Sequence, residues 1–386
     1  MLEKYTQAFC AEYVWIGANG DLRSKTKVIC RKCPETKAEW EEVGTQEFDK
    51  VTDFPEWNFD GSSTNQASGN DSEVIIKPCA VFDDPLRGDS KWPHRSHKLI
   101  LCDTYYPDQI RPLESNKRSW AKQIFDKKLD EKPWFGLEQE YYIYNFNDQR
   151  LPIGHPDDLP HNSLSSATGD QGQYYCGSGA QNAFGRKIAE EHLQACIKAG
   201  IKISGINAEV GPGQWEFQIG PCTGIDAGDH LWMARYLLNR IGEKHNMTIN
   251  YHPKPFTRPE WNDCAPDWNG SGCHTNYSTL QMRTYNNDLP GNGLKCIKEA
   301  ISKLSKNHTE HMKVYGADNE KRMTGKCETA SYDKFSDGIG DRSASVRIGN
   351  KTVSDGYGYF EDRRPSSNCD PYLVTAKIFE TTVLNT

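Results

Sequence analysis

The sequence predicts an α+β fold, and three observations predict it. Short runs alternate apolar and polar residues; Trp215, Phe217 and Ile219 interleave with Glu216 and Gln218, the period of a strand with one polar face. Other runs space apolar residues three and four apart; Ile188, His192, Leu193, Cys196 and Ile197 mark one face of a helix over 186–199. Strand-like and helix-like runs then alternate along the chain, with no internal repeat. With 386 residues, the chain is long enough for about two domains, each with its own core.

The first part reads as a small β-rich domain. Residues 13–16 and 28–30 are strands joined at Asn19-Gly20-Asp21, a hairpin signal because Asn and Gly tolerate a left-handed backbone. Residues 74–78 and 98–102 add two more strands. Prolines cluster between Pro107 and Pro112, so the domains are placed at 1–112 and 113–386. The second domain opens with a helix over 119–129 and a strand over 134–144. A polar loop over 155–172 precedes the helix that Gly200 ends. Further helices are expected over 228–245 and 294–304, the latter with Leu294, Ile297, Ile301 and Leu304 at core spacing.

Composition narrows the function. A net charge of −7 argues against a nucleic-acid partner. No apolar run approaches the ~18 residues of a membrane span. Met1-Leu2-Glu3-Lys4-Tyr5 lacks the basic and apolar regions of a secretory signal, so a cytoplasmic location is expected, with the 13 cysteines as reduced thiols. Cys30 and Cys33 with His94 and His97 have zinc-ligand spacing, but nothing else in the sequence supports that pairing.

Glu138-Gln139-Glu140 lies inside the strand over 134–144, so both glutamates point to one face. Two carboxylates on a half-buried face repel unless a cation, a shared proton or open water relieves them. Glu209 and Glu216 flank the turn Gly211-Pro212-Gly213, and a reversal there brings them near one point. Four strand-borne glutamates form a concentrated negative site whose hard oxygen donors favour Mg²⁺ or Mn²⁺ over zinc or copper. The Gly-rich run over 268–276 leads to His274, a metal ligand or phosphate contact. Arg342, Arg347 and Arg363 beside such a site suggest polyanion handling, phosphoryl transfer included. P-loop and dinucleotide glycine motifs are absent.

Taken in order, these stretches resemble the eukaryotic-type glutamine synthetase family. The matching runs are 57–64 (Trp-Asn-Phe-Asp-Gly-Ser-Ser-Thr), 134–141, 174–177, 205–221, 268–276, 322–325, 342–348 and 359–370. The resemblance implies a β-grasp N-terminal domain and a catalytic domain whose antiparallel strands wall a funnel. It implies ATP-dependent condensation of L-glutamate with ammonium, through γ-glutamyl phosphate. Glu140, Glu209 and Glu216 would hold one divalent ion, and Glu138, His274 and Glu361 the other. Trp268, Asn269, Gly270, Arg322, Arg342 and Arg363 would bind glutamate. Trp134, Glu138, Asn276, Tyr277, Ser278, Arg342, Arg347 and Tyr359 would bind ATP. Asp60, Ser63, Tyr175 and Glu328 would bind ammonium, with Asp60 as base and Glu328 as lid carboxylate. Arg342 would stabilise the phosphoryl group in flight. The family's usual assembly, two stacked pentameric rings with active sites between neighbouring subunits, would make this chain a homodecamer.

The chain departs from the family pattern at Cys327, Asp341 and Leu280, where histidine, asparagine and lysine are usual, and in the loop over 162–173. Asp341 places a negative charge beside Arg342. Two rival readings remain: a ligase for a larger amine, and a non-catalytic structural homologue.

Overall fold

Phe9, Ala11, Tyr13 and Trp15 alternate along the first strand and all four are buried, so one face of that strand becomes a wall of a core. The computed structural model describes residues 7–31, 48–88, 97–154, 174–255, 269–326 and 328–384. The chain divides into two units, residues 1–120 with 195–201, and residues 121–194 with 202–386.

In the first unit, β1 (Gln7–Ile16) and β2 (Leu22–Arg31) form the expected hairpin, with Ile16 opposite Leu22 and Gly20 at φ 76°. β3 (Trp57–Asp60), β4 (Glu73–Asp83) and β5 (Lys98–Tyr105) complete a sheet of order β2-β1-β5-β4-β3. Only β1 and β5 run parallel. Phe48, Phe54, Phe59, Val74, Ile76 and Ile100 fill the core, and Trp15 stacks on Phe59 at 4.4 Å. Each such aromatic stabilises by about 1.5–3 kcal/mol when fully buried. Asp60 ends β3 and caps the following turn, accepting from Ser62 N at 3.1 Å.

The second unit is built on a sheet of order β12-β13-β14-β11-β6-β9-β8, with β7 and β10 also paired to β6. Its strands are β6 (Trp134–Asn145), β7 (Asp148–Pro152), β8 (Ile203–Ala208), β9 (Gln214–Thr223), β10 (Met247–Asn250), β11 (Cys273–Ser278), β12 (Asp337–Ile339), β13 (Val346–Ile348) and β14 (Phe360–Asp362). Pairing is antiparallel except between β12 and β13. The longer helices of the chain are α1 (Lys117–Asp126), α2 (Arg186–Lys198), α3 (Asp226–Lys244), α4 (Asn292–Lys306) and α5 (Pro371–Phe379). α3 is buried nearly all round and packs on β9, β10 and α5. Asp370 caps α5, accepting from Tyr372 N at 2.8 Å, and Pro371 occupies the first turn, where its missing N–H costs nothing.

The structure corrects several details. α1 stops at Asp126, and a short 3-10 turn over Leu129–Glu131 takes the place of its expected last turn. Ile197 is exposed; Ala189, Ala195 and Ala199 are buried with Ile188, His192 and Cys196, so the buried stripe runs beside Ile197. β3, β7, β10 and β12 are too short to give a periodic signal. The proposed zinc quartet lies outside the described residues, because Cys33 and His94 are not among them. The nine cysteines with described side chains are in no disulfide.

Candidate active site

Strand parity and register assemble the site. β6 sends Glu138 and Glu140 to one face, while Leu137, Gln139 and Tyr141 are buried on the other. Pairing sets His274 of β11 opposite Glu138 and Glu216 of β9 opposite Glu140. Glu361 of β14 lies across from Asn276 of β11. Glu209 follows β8 and is tied back across the turn, its N–H donating to Gln214 O at 2.9 Å. Gly213 turns that corner at φ 68°, a conformation glycine adopts without strain. All six side chains line one cavity of about 120 Å³. His274 Nδ1 lies 3.6 Å from Glu138 Oε2 and 3.5 Å from Glu361 Oε1, and its Nε2 lies 3.9 Å from Glu140 Oε1.

Crowding and burial shape the electrostatics. Burial and the neighbouring Glu209 push Glu140 up to about 8. Burial and the Glu138 charge push Glu209 up to about 7, against hydrogen bonds from Val210 and Asn207 that pull it down. Burial, with Glu138, Glu209 and Glu140 as neighbours, drives Glu216 well above the carboxylate range. Burial holds His274 well below the usual histidine range, so its imidazole is neutral and offers a lone pair. Glu361 Oε2 has no aligned hydrogen-bond donor, although Arg347 Nε lies 2.9 Å away. Donor atoms of Glu138, His274 and Glu361 fall within 4.8 Å of one another. Carboxylates that repel each other, with one neutral imidazole, are the donor set a hard divalent cation takes; the residues fit such an ion.

Cations rim the acids. Arg363 donates to Glu361 Oε1 at 2.8 Å and to the carbonyl of Arg342 at 3.1 Å. Arg342 meets the Tyr175 hydroxyl, and its Nη1 lies 3.4 Å from Glu328 Oε2. Glu328 has φ 58°, a conformation that costs a non-glycine residue about 1–3 kcal/mol and is characteristic of functional loops. Arg322 is buried, its Nη2 donating to the carbonyls of Arg363, Arg364 and Pro365; burial pulls it down to about 10. Gly270 passes so close that an added Cβ would meet Arg322 Cγ and Pro253 O at 2.5 Å, so only glycine fits. Asn269 O accepts from Tyr142 OH at 2.8 Å. Trp268 and Cys327 lie outside the described residues, as does the loop over 162–173.

A second cavity of about 420 Å³ adjoins, sharing Glu138. Trp134, Asn276, Ser278 and Tyr359 line it with Gly136, Ser204 and Gly220. Trp134 is 42% exposed and carries the Arg283 guanidinium 4.0 Å over its ring, leaving an aromatic surface suited to a flat heterocycle. Tyr277 borders this cavity, but its ring is buried against Phe135 and Phe360 and its hydroxyl meets Thr382 at 2.9 Å.

Asp60 and Ser63 belong to the first unit. Hydrogen bonds from Ser62, then Ser63, hold the Asp60 carboxyl below its ordinary range, so it is ionised at neutral pH. Asp341 turns to Ser343, accepting from its N–H at 2.8 Å and its hydroxyl at 2.7 Å, and shows no pairing with Arg342. Leu280 is 40% exposed at the start of the short helix Leu280–Arg283. Sequence reasoning missed Asn207, Gln214 and Gln218, which hydrogen-bond the acids. Their spacing carried a weak signal: Asn207 and Gln218 share strand parity with Glu209 and Glu216.

Residues 114–384 match the family described as glutamine synthetase, catalytic domain. The chain belongs to the glutamine synthetase family. A putative glutamine synthetase of Acanthamoeba polyphaga mimivirus is 50% identical over 96% of this chain and 93% of its own length. A cytosolic glutamine synthetase isozyme of Daucus carota is 48% identical over 99% of this chain and 97% of its own. A chloroplastic glutamine synthetase of the same plant is 48% identical over 98% and 78%. A solved structure titled "Apo GmaS without ligand" shares the fold, with TM-score 0.66, 16% identity, and coverage of 97% of this chain and 77% of that one. As a family member the chain is a glutamate–ammonia ligase that uses ATP and divalent metal. Among the described residues no helix is long and apolar enough to cross a membrane.

Proposed function

We propose that the acid-lined funnel ligates L-glutamate and ammonium to L-glutamine through γ-glutamyl phosphate, with each site residue in the role its motif implies. The convergence of Glu138, Glu140, Glu209, Glu216, His274 and Glu361 in one cavity carries this reading. Glu140, Glu209 and Glu216 would hold one divalent ion and Glu138, His274 and Glu361 the other, and ions so held offset phosphate charge and orient the transferred group. Mg²⁺ or Mn²⁺ suits these donors.

A carboxylate is a poor electrophile because its leaving group would be an oxide; phosphorylation by ATP gives the γ-carboxyl a good one. Arg342 and Arg347 stabilise charge on the phosphoryl in transfer. Arg322 and Arg363, with the Asn269 and Gly270 backbone and Trp268, clamp glutamate. The cavity walled by Trp134, Asn276, Ser278 and Tyr359 takes the nucleotide, with Tyr277 contributing backbone. Asp60, ionised, attracts ammonium with Ser63, Tyr175 and Glu328, and takes its proton. Ammonia then attacks the acyl carbon and phosphate leaves. Glu328 closes over the intermediate and excludes water.

The finer architecture is part of this proposal. Residues 1–112 form a β-grasp domain and 113–386 the catalytic domain; the five-stranded mixed sheet supports the first assignment. Ten subunits stack as two rings, with Asp60 serving a neighbour's funnel. The location is cytoplasmic, in line with the name of the carrot isozyme.

The test measures ADP formation with each substrate omitted in turn. Release of phosphate that requires both glutamate and ammonium supports the ligase; release without them ends it. Methylamine outperforming ammonium would favour a larger-amine ligase. The variant Asp60→Ala should bind ATP yet lose synthesis by about 10²–10⁴-fold. Mixing it with inactive Arg342→Ala subunits should restore activity if neighbouring subunits share a site.

A further inference from the structure

Each of four acids in the funnel accepts a hydrogen bond from a carboxamide. Asn276 Nδ2 donates to Glu138 Oε1 at 2.7 Å, and Gln214 Nε2 to Glu140 Oε2 at 3.2 Å. Asn207 Nδ2 donates to Glu209 Oε1 at 2.9 Å, and Gln218 Nε2 to Glu216 Oε1. The fifth acid, Glu361, is paired with Arg347 and Arg363 instead.

Two of these amides are joined. Gln218 Nε2 also donates to Asn207 Oδ1 at 2.7 Å, so Glu209, Asn207, Gln218 and Glu216 form one unbroken chain. The chain has a single consistent polarity. Both amides turn their NH₂ toward their glutamates and the Asn207 oxygen receives Gln218, the one polarity that suits carboxylates ionised on a cation, which only accept. The backbone makes room for this arrangement. A Cβ on Gly205 would lie 2.7 Å from Gln218 Oε1, and the Gly205 φ lies outside the left-handed region that calls for glycine. The missing side chain leaves room for the amide.

The donors' neutrality has a reason. A lysine or arginine on Glu209 or Glu216 would orient the carboxylate but cancel its charge and compete with an incoming cation. A carboxamide fixes the lone pairs and leaves the charge intact, as outer partners of metal ligands do. On the metal reading given above, we propose that Asn207 and Gln218 are positioning residues that set the Glu209 and Glu216 carboxylates for one divalent ion, with Gly205 as the recess that admits the Gln218 amide.

The experiment titrates Mn²⁺ into metal-depleted full-length protein without substrates, by calorimetry and electron spin resonance, alongside thermal melts. The parental protein should show two classes of site. Asn207→Leu, of similar size but without donor or acceptor, should weaken one class about 10–100-fold and leave the other within about twofold. Gly205→Ala, whose new methyl displaces only the tip of Gln218, should weaken the same class while the metal-free protein melts as the parent does. It keeps the test sharp should Asn207→Leu fold poorly. Parental affinity in both folded variants, or equal weakening of both classes, overturns the proposal. A parental protein that binds no ion overturns the metal reading and this one with it.

Discussion

The two faces of the funnel strands treat charge in opposite ways. On the funnel face, Glu138, Glu140, Glu209, Glu216 and Glu361 crowd together, and burial with mutual repulsion lifts Glu140, Glu209 and Glu216 out of the usual carboxylate range. On the hidden face of β14, Asp362 is fully buried and paired with Arg364, two residues beyond it and equally buried, Nη2 to Oδ2 at 2.6 Å and Nε to Oδ1 at 2.8 Å. Tyr315 OH adds a bond to Asp362 at 2.7 Å, and its ring and His311 extend the network. Burial alone would raise Asp362, but Arg364 and Tyr315 outweigh it and hold the carboxyl low. On the hidden face of β6, Gln139 accepts from Arg235 Nε at 2.9 Å and Nη2 at 2.6 Å and donates to the carbonyls of Glu140 and Ser367. Polar groups on the hidden faces are matched among themselves; the acids that line the funnel crowd like charges together.

The sharpest break of this contrast is Glu140→Ala against Asp362→Ala. Glu140→Ala should lower kcat by on the order of 10³ or more, through lost charge stabilisation of several kcal/mol. In the metal-free form Glu140 keeps its proton at neutral pH, so its removal strands no buried counter-charge and should cost less stability than Asp362→Ala. Steady-state rates and urea melts measure both; a Glu140→Ala as destabilised as Asp362→Ala would erase the distinction. Asp362→Ala should instead destabilise by about 3–5 kcal/mol, because it strands the Arg364 guanidinium in the interior. A urea melt unchanged from the parent would show that the hidden pair is idle.

Acidity sharpens the comparison next. In the metal-free protein the folded Glu209 and Glu140 keep their protons up to about 7 and about 8, whereas the unfolded chain releases them near 4.5. Folded groups with raised values contribute stability that is whole below pH 4.5 and lost as pH rises through 7–8. The melting temperature of chelator-treated protein should therefore fall between pH 5 and pH 8. Saturating Mg²⁺ should flatten that fall by taking the protons' place. A flat profile without metal would mean the acids are not crowded in solution. The smallest effect is expected at Gln139→Leu, which leaves Arg235 short of one acceptor and should cost about 1–3 kcal/mol of stability, read by denaturant melts.

Much of this site was legible in the sequence, for local reasons. The pairing of Glu138 with Glu140 on one face follows from strand parity, and the turn at Gly211-Pro212-Gly213 brings Glu209 and Glu216 together as its glycines foretell. The hairpin at Asn19-Gly20-Asp21 was equally local. Less was visible where the decisive neighbour is distant. Arg235 looked like one more helical residue, because its acceptors, Gln139, Ser367 and Cys369, lie about 100 or more positions away. Asp341 looked like a threat to Arg342, because its turn to Ser343 depends on backbone conformation.

The amino-acid order alone determined which residues are acidic, which strand face each occupies and where the chain reverses, since these depend on neighbours a few bonds apart. Only the tertiary structure decided that His274 stands opposite Glu138, that Gln218 reaches Asn207 above Gly205, and that Asp362 finds Arg364 and Tyr315 while Glu361 faces the funnel. Register between distant strands is set by packing and hydrogen bonding across the whole sheet, and no local run of residues carries that information.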